Sequence, residues 1–196
     1  MHNISTSRPL IRRLDHDDAA ALFDLSERVR ASISHQEYMH WHTLADFIDA
    51  LSAETLTKIY FGGFLSSNLV SVGYLKYNQS HEELFEEFPT ILHQDLLHSV
   101  SPASPVASLG GDMVHPGFRG QGFNTEQVRH RLAVAESAVN TTVAIVDKRN
   151  SSNFHPYLAN NFNIVETGID PADSGPIHFF LKPNYRPVIG ECQKGR

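Results

Sequence analysis

Two short apolar, β-branched runs, residues 106–114 and 141–146, flank a segment in which Val128, Leu132, Ala135 and Val139 recur near the helical period. That pattern predicts strand, helix over 125–140, strand, a βαβ unit whose strands pair in parallel. Ahead of it, residues 9–14 predict a first strand. Asp15 or Asp17 is placed to cap a helix through Ala19, Ala20, Leu22, Phe23, Leu25, Val29 and Ile33. Residues 35–52 carry Tyr38, Met39, Trp41, Leu44, Phe47, Ile48 and Leu51 at mixed helical spacing and predict a second helix with its entry loop. Its aromatics are either the packing face of that helix or the lining of a pocket.

Residues 57–65 and 69–78 are rich in aromatic and β-branched side chains around Ser66-Ser67-Asn68, which predicts a hairpin. Ser80-His81-Glu82-Glu83 reads as a capping box opening a helical insertion over 78–104, broken at Phe88-Pro89. Beyond the βαβ unit, residues 150–160 predict a short helix. Residues 162–167 and 177–181 predict two strands around a polar turn, and 183–196 a loosely ordered tail. The fold class is α/β (α+β): one domain over 1–196, with a mixed central sheet of six to seven strands and flanking helices.

Pro116 stops the strand 106–114, and a turn with glycines at 120 and 122 precedes the helix. Glycines there remove the Cβ atoms that block close approach. Successive N–H groups and the positive helix end are then free to face an anion, with Arg119 adding a fixed charge. The spacing alone fits a bland tight turn as well. It is not a dinucleotide fingerprint, because Thr125 stands where the third glycine belongs, and no Gly-Lys-Ser/Thr loop is present.

The chain is long enough for one well-buried core. Its net charge of −6 argues against nucleic acid as a partner; it suits an amine substrate, and solubility explains it equally well. Cys192 is the only cysteine, so no intrachain disulfide forms. The twelve histidines follow no metal-ligand spacing, and no metal site is expected. Residues 1–9 lack the apolar core of a signal peptide, and no run is long enough to span a membrane, so a cytoplasmic protein is expected.

Val114-His115-Pro116-Gly117-Phe118-Arg119-Gly120-Gln121-Gly122-Phe123-Asn124 resembles the coenzyme-A loop of the GNAT superfamily of N-acyltransferases, Val-x-Pro-x-Tyr/Phe-Arg-Gly-x-Gly-x-Gly/Ala, departing only at Asn124. A second motif agrees: Asn150, Tyr157, Asn161 and Phe162 fall where the family has Asn, Tyr, Gly and Phe. Asn161 replaces a glycine with another residue that tolerates left-handed backbone. The predicted element order is similar to the GNAT arrangement over nearly the whole chain.

The resemblance implies acetyl-CoA as acyl donor and direct attack by a primary amine of a small molecule. It implies that Met113, Val114, Arg119, Gly120, Gln121, Gly122, Phe123, Asn124 and Asn150 hold the cofactor, and that Tyr157 is the general acid at the leaving sulfur. Where several members carry a Glu, this chain has Ile145, and Asp112 is the first candidate for base or amine-orienting carboxylate, ahead of His115 and His178. Gly110-Gly111 permits a bulge that decides which way Asp112 faces. Donors with longer acyl chains, and a non-catalytic acyl-CoA sensor, stand as alternatives. The insertion would cover the substrate side or form a homodimer contact.

Overall fold

The computed structural model describes residues 8–34, 42–52, 58–79, 105–169 and 176–183. The predicted turn at 170–175, residues 35–41, residues 80–104 of the predicted insertion and the tail 184–196 lie outside them.

Seven strands form one sheet: β1 (Leu10–Arg13), β2 (Lys58–Leu65), β3 (Asn68–Gln79), β4 (Val106–Val114), β5 (Thr141–Asp147), β6 (Asn163–Ile169) and β7 (Pro176–Pro183). Their order across the sheet is β1-β2-β3-β4-β5-β7-β6. Every pairing is antiparallel except β4 with β5, which is parallel as the βαβ pattern predicts. The helices are α1 (Ala19–Ala31), α2 (Leu44–Ser52), α3 (Phe123–Glu136) and α4 (Phe154–Leu158). Strand 106–114 has the predicted bounds. The βαβ helix starts two residues before the predicted 125 and ends four before the predicted 140.

Local chemistry accounts for the boundaries. Asp15 accepts from the Asp17 N–H at 3.0 Å, and Asp18 returns the favour to the Asp15 N–H at 3.1 Å, a capping box that leads into α1. Asp18 also receives both arms of Arg12 at 2.7 Å, fastening β1 to that entry. Thr43 and Asp46 cap α2 reciprocally. Among the described residues no helix is long and apolar enough to cross a membrane.

Two apolar clusters sandwich the sheet. On one face α1 and α2 press Leu22, Leu25, Val29 and Phe47 against Leu14, Phe64, Leu69 and Val72. On the other, α3 and α4 press Val128, Leu132, Ala135 and Tyr157 against Phe61, Leu75, Leu109, Val146 and Phe180. The four positions read as the helical stripe, Val128, Leu132, Ala135 and Val139, are all buried. Each apolar side chain removed from water contributes about 1.5–3 kcal/mol.

The α3 face is not wholly apolar. Gln127 and Arg131, one turn apart beside that stripe, are fully buried. Gln127 donates to the hydroxyl of Ser71 at 3.1 Å. Arg131 lies across Gly73, where an added Cβ would stand 2.4 Å from its Cζ. Gly73→Ala is therefore expected to displace the guanidinium and lower stability by about 1–3 kcal/mol, read as a shift in urea midpoint without a change in slope.

Candidate active site

Parallel pairing between β4 and β5 runs only from Val106↔Thr141 to Leu109↔Ala144. Past Leu109, β4 remains on β3, through Tyr74↔Gly110, Val72↔Met113 and Ser71↔Val114, and parts from β5. Between the first two of those pairs β4 sets two residues, Gly111 and Asp112, against Gly73 alone, a bulge that Gly111 accommodates at φ 63°. The two strands open like a wedge. A cleft of about 1090 Å³ occupies the opening, and its walls include Gly110, Gly111, Asp112, Met113, Val114, Arg119, Gly120, Gly122, Phe123, Asn124, Ile145 and Asn150.

At the mouth, His115 caps the single turn Pro116–Phe118 by accepting from the Gly117 N–H at 3.1 Å. That use of its Nδ1 removes His115 as a free base. Gly120 and Gly122 follow at φ 74° and 83°, conformations that side-chain-bearing residues rarely adopt. A Cβ on either would meet nothing within 4 Å, so the space above the turn is open. Gly122 is the N-cap of α3, and the first helical N–H with an acceptor is that of Glu126, on Gly122 O at 3.1 Å. The amides of Phe123, Asn124 and Thr125 are left to a ligand.

Arg119 donates to Ser32 of the α1 end at 2.6 Å and lines the cleft. Gln121 is exposed and reaches back to Gly117 O at 3.5 Å, so its contribution to a ligand is its main chain. Phe123 is buried against Phe118, and it too offers only its amide. Asn124 donates to Asn153 at 3.1 Å, and Asn160 donates to Thr125 O at 3.1 Å. Both bonds clamp the start of α3 to the α4 region, so the asparagine that departs from the family loop serves to fix the turn. Asn161, the other departure, takes φ 63°, the left-handed conformation its motif position requires.

Beneath the wedge the sequence reading missed a residue. Arg131 Nε donates to Gln127 O at 3.2 Å, and Nη1 to Tyr74 O at 2.9 Å and Gly110 O at 3.1 Å. Nη2 donates to Asp112 Oδ1. Oδ2 of Asp112 accepts from the Tyr157 hydroxyl at 2.5 Å. The Asp112 side chain is 3% exposed and that of Arg131 not at all. Tyr157 is 1% exposed and packs on Phe162 and Phe180. Its motif position is met, yet its hydroxyl is spent on Asp112, and Asp112 is the member of the pair on the cleft wall. Burial first, and the Asp112 charge second, push the Tyr157 phenol well above its ordinary range. His178 lies against Phe154 and Phe180, and burial lowers its pKa. The only trace of the buried Arg131 in the sequence is a cation four residues after Gln127, next to the apolar stripe.

No protein-family model and no curated protein matches the chain. Solved structures do. An acetyltransferase of the GNAT family from Streptococcus pneumoniae superimposes at a TM-score of 0.63 and 16% identity, over 89% of this chain and 98% of that one. A ribosomal-protein-alanine N-acetyltransferase from Escherichia coli gives 0.63 at 14%, over 93% and 97%. NAA60 of Arabidopsis thaliana, in complex with acetyl-CoA, gives 0.64 at 10%, over 89% and 97%.

Two outcomes are expected from the buried group. Arg131→Met leaves Asp112 buried without its countercharge and should cost about 3–5 kcal/mol in chemical denaturation. Much of that should return in the Arg131→Met, Asp112→Leu double variant, where no charge is stranded. A free phenol titrates near pH 10. Because folding raises that value for Tyr157, its contribution is complete below about pH 10 and is lost as pH climbs toward the folded value. The alkaline fall in stability should be shallower in Tyr157→Phe, compared by urea midpoints at pH 8 and 11. Splayed strands, glycine turn and matching topology together give the chain the fold of the GNAT N-acetyltransferases.

Proposed function

We propose that the protein is an acetyl-CoA-dependent N-acetyltransferase that acylates a primary amine of a small molecule by direct attack. The observation that carries this reading is the wedge between β4 and β5 ending on unclaimed amides: an open edge on Gly110 to Val114, then the N–H groups of 123–125 beside Arg119. A long anionic thioester fits that shape. The diphosphate would lie on the glycine turn and helix start, with Arg119 as countercharge. The pantetheine arm would run along Met113 and Val114, and Asn150 would stand at the far side of the opening. The NAA60 complex with acetyl-CoA, on the same fold, supports that choice of donor.

Bound acetyl-CoA supplies the thioester: the C–N bond forms as the C–S bond breaks, and the electron pair leaves on sulfur. The residues of this chain move the protons. Asp112, on the cleft wall, takes one from the acceptor nitrogen. The Tyr157 hydroxyl turns from Asp112 and gives its proton to sulfur, and the proton on Asp112 then passes to the phenolate, closing the cycle. A phenol pushed upward by burial regains its proton readily, which suits a relay. Main-chain N–H groups at the bulge face the carbonyl oxygen as its charge grows. Cys192 has no part, so no acyl-enzyme forms. The reaction is placed in the cytoplasm, in keeping with a single cysteine.

A second reading has one observation in its favour: Tyr157 and Asp112 are bonded to each other, as they would be in an acyl-CoA sensor without transfer chemistry. Thiol release from acetyl-CoA across a panel of amines separates the two, because a sensor binds acetyl-CoA in calorimetry and releases no thiol with any of them. For the enzyme, Arg119→Ala should weaken acetyl-CoA binding about tenfold, the scale of one charge-assisted contact. Tyr157→Phe should lower kcat by about 10²-fold or more, with acetyl-CoA affinity little changed. Equal losses of binding in both variants would contradict the division of roles.

A further inference from the structure

Charge is distributed in the cleft in a way that the net −6 of the chain conceals. Three carboxylates line it, and each has an arginine: Glu27 with Arg30 at 2.9 Å, Asp147 with Arg149 at 2.5 Å, and Asp112 with Arg131 behind it. Two lining cations, Arg119 and Lys58, have no carboxylate partner among the described residues. Arg119 stands at the phosphate turn and is accounted for by the donor. Lys58 is not.

Its place is fixed by register. Lys58, at the start of β2, lies two residues from Tyr60, and Tyr60, Tyr74 and Gly110 are successive partners across β2, β3 and β4. The Lys58 ammonium sits 4.2 Å from the centre of the Tyr74 ring and 5.2 Å from that of Tyr60. The Tyr74 ring in turn closes on Gly110 and Gly111, where added Cβ atoms would stand 2.6 and 2.7 Å from its carbons. Neighbouring strands are about 4.8 Å apart, so Lys58 lies on the order of 10 Å from the bulge at Gly110. It is also several residues of strand away from the turn at 115–122. The exposed ammonium, held on its aromatic platform on the α1/α2 side of the opening, stands away from the glycine turn that would take the diphosphate, on the side left for the acceptor.

We propose that Lys58 is the specificity determinant for an acceptor carrying a carboxylate, so that the substrate class is amino acids and related amine-bearing acids. This rests on the acetyltransferase reading. The amine is presented to Asp112, and the carboxylate is held by Lys58 above Tyr60 and Tyr74. Cationic amines without an acid group meet a cleft with two surplus positive charges and are disfavoured.

The test is a set of matched acceptors: the common amino acids, each beside its carboxamide, which keeps the amine and removes the negative charge. Thiol release from acetyl-CoA is followed for the native protein and for Lys58→Gln and Lys58→Glu, and acetyl-CoA binding is measured by calorimetry on the same preparations. The native protein should favour the acid over its amide by about tenfold in kcat/KM, the order of one charge-assisted contact. Lys58→Gln should bring that ratio near one, and Lys58→Glu should reverse it. An acid-to-amide ratio that is the same in all three proteins, or turnover of carboxamides alone, overturns the assignment of Lys58. Acetyl-CoA bound normally with no acid accepted also overturns it while leaving the donor site intact. Absence of acetyl-CoA binding instead removes the acetyltransferase reading and this inference with it.

Discussion

A single guanidinium under the sheet holds the site in shape. Arg131 reaches two carbonyls, Tyr74 O and Gly110 O, on neighbouring strands, together with the carboxylate of Asp112. A buried arginine strands its desolvation cost unless every face is bonded, and here the strand that supplies the bonds is the one that must bulge. The bulge at Gly111, the parting of β4 from β5 and the inward aim of Asp112 are three aspects of the same local arrangement. Gly73 makes room for it. An apolar residue at 131 would fill the same volume but remove the donors that reach Tyr74 O, Gly110 O and Asp112 Oδ1.

In the proposed reading the donor end of the cleft is built from backbone and the acceptor end from side chains. Positive φ at Gly120 and Gly122 and the unclaimed first-turn amides of α3 need no particular side chain besides Arg119. Such a site tolerates wide sequence change, because backbone conformation and not side-chain identity makes it. Selection of the acceptor, in that same reading, falls to side chains such as Lys58 of β2, where chains of one fold are free to differ.

How much of this was legible in the sequence follows from what each pattern encodes. Periodicity reports the face an element buries, so β4 was found at its full extent and the stripe Val128, Leu132, Ala135 and Val139 was read correctly. Glycine spacing reports backbone conformation, which is why the turn at 120–122 was visible. Capping set the start of α3 two residues early because glycine itself serves as N-cap, and no side chain announces it. Arg131 escapes an apolar-period argument: on sequence it is one more charged residue on a helix, and its strand partner Tyr74, 57 positions earlier, makes it interior. Tyr157 lies on α4, within the short helix predicted over 150–160, but no motif tells that its hydroxyl is engaged by Asp112.

The parallel ladder between β4 and β5 is four residues long, and among the described residues it is where the strands of the sheet's two leaves, β1 to β4 and β5 to β7, pair directly. Elsewhere the leaves are joined through α3 and the Asn124–Asn153 and Asn160–Thr125 bonds at its head. Anything lodged between the leaves touches both, and so acts as a keystone: it adds a tie across the opening to the apolar cluster that the two leaves already share. Occupancy of the wedge is thereby coupled to the cohesion of the whole domain.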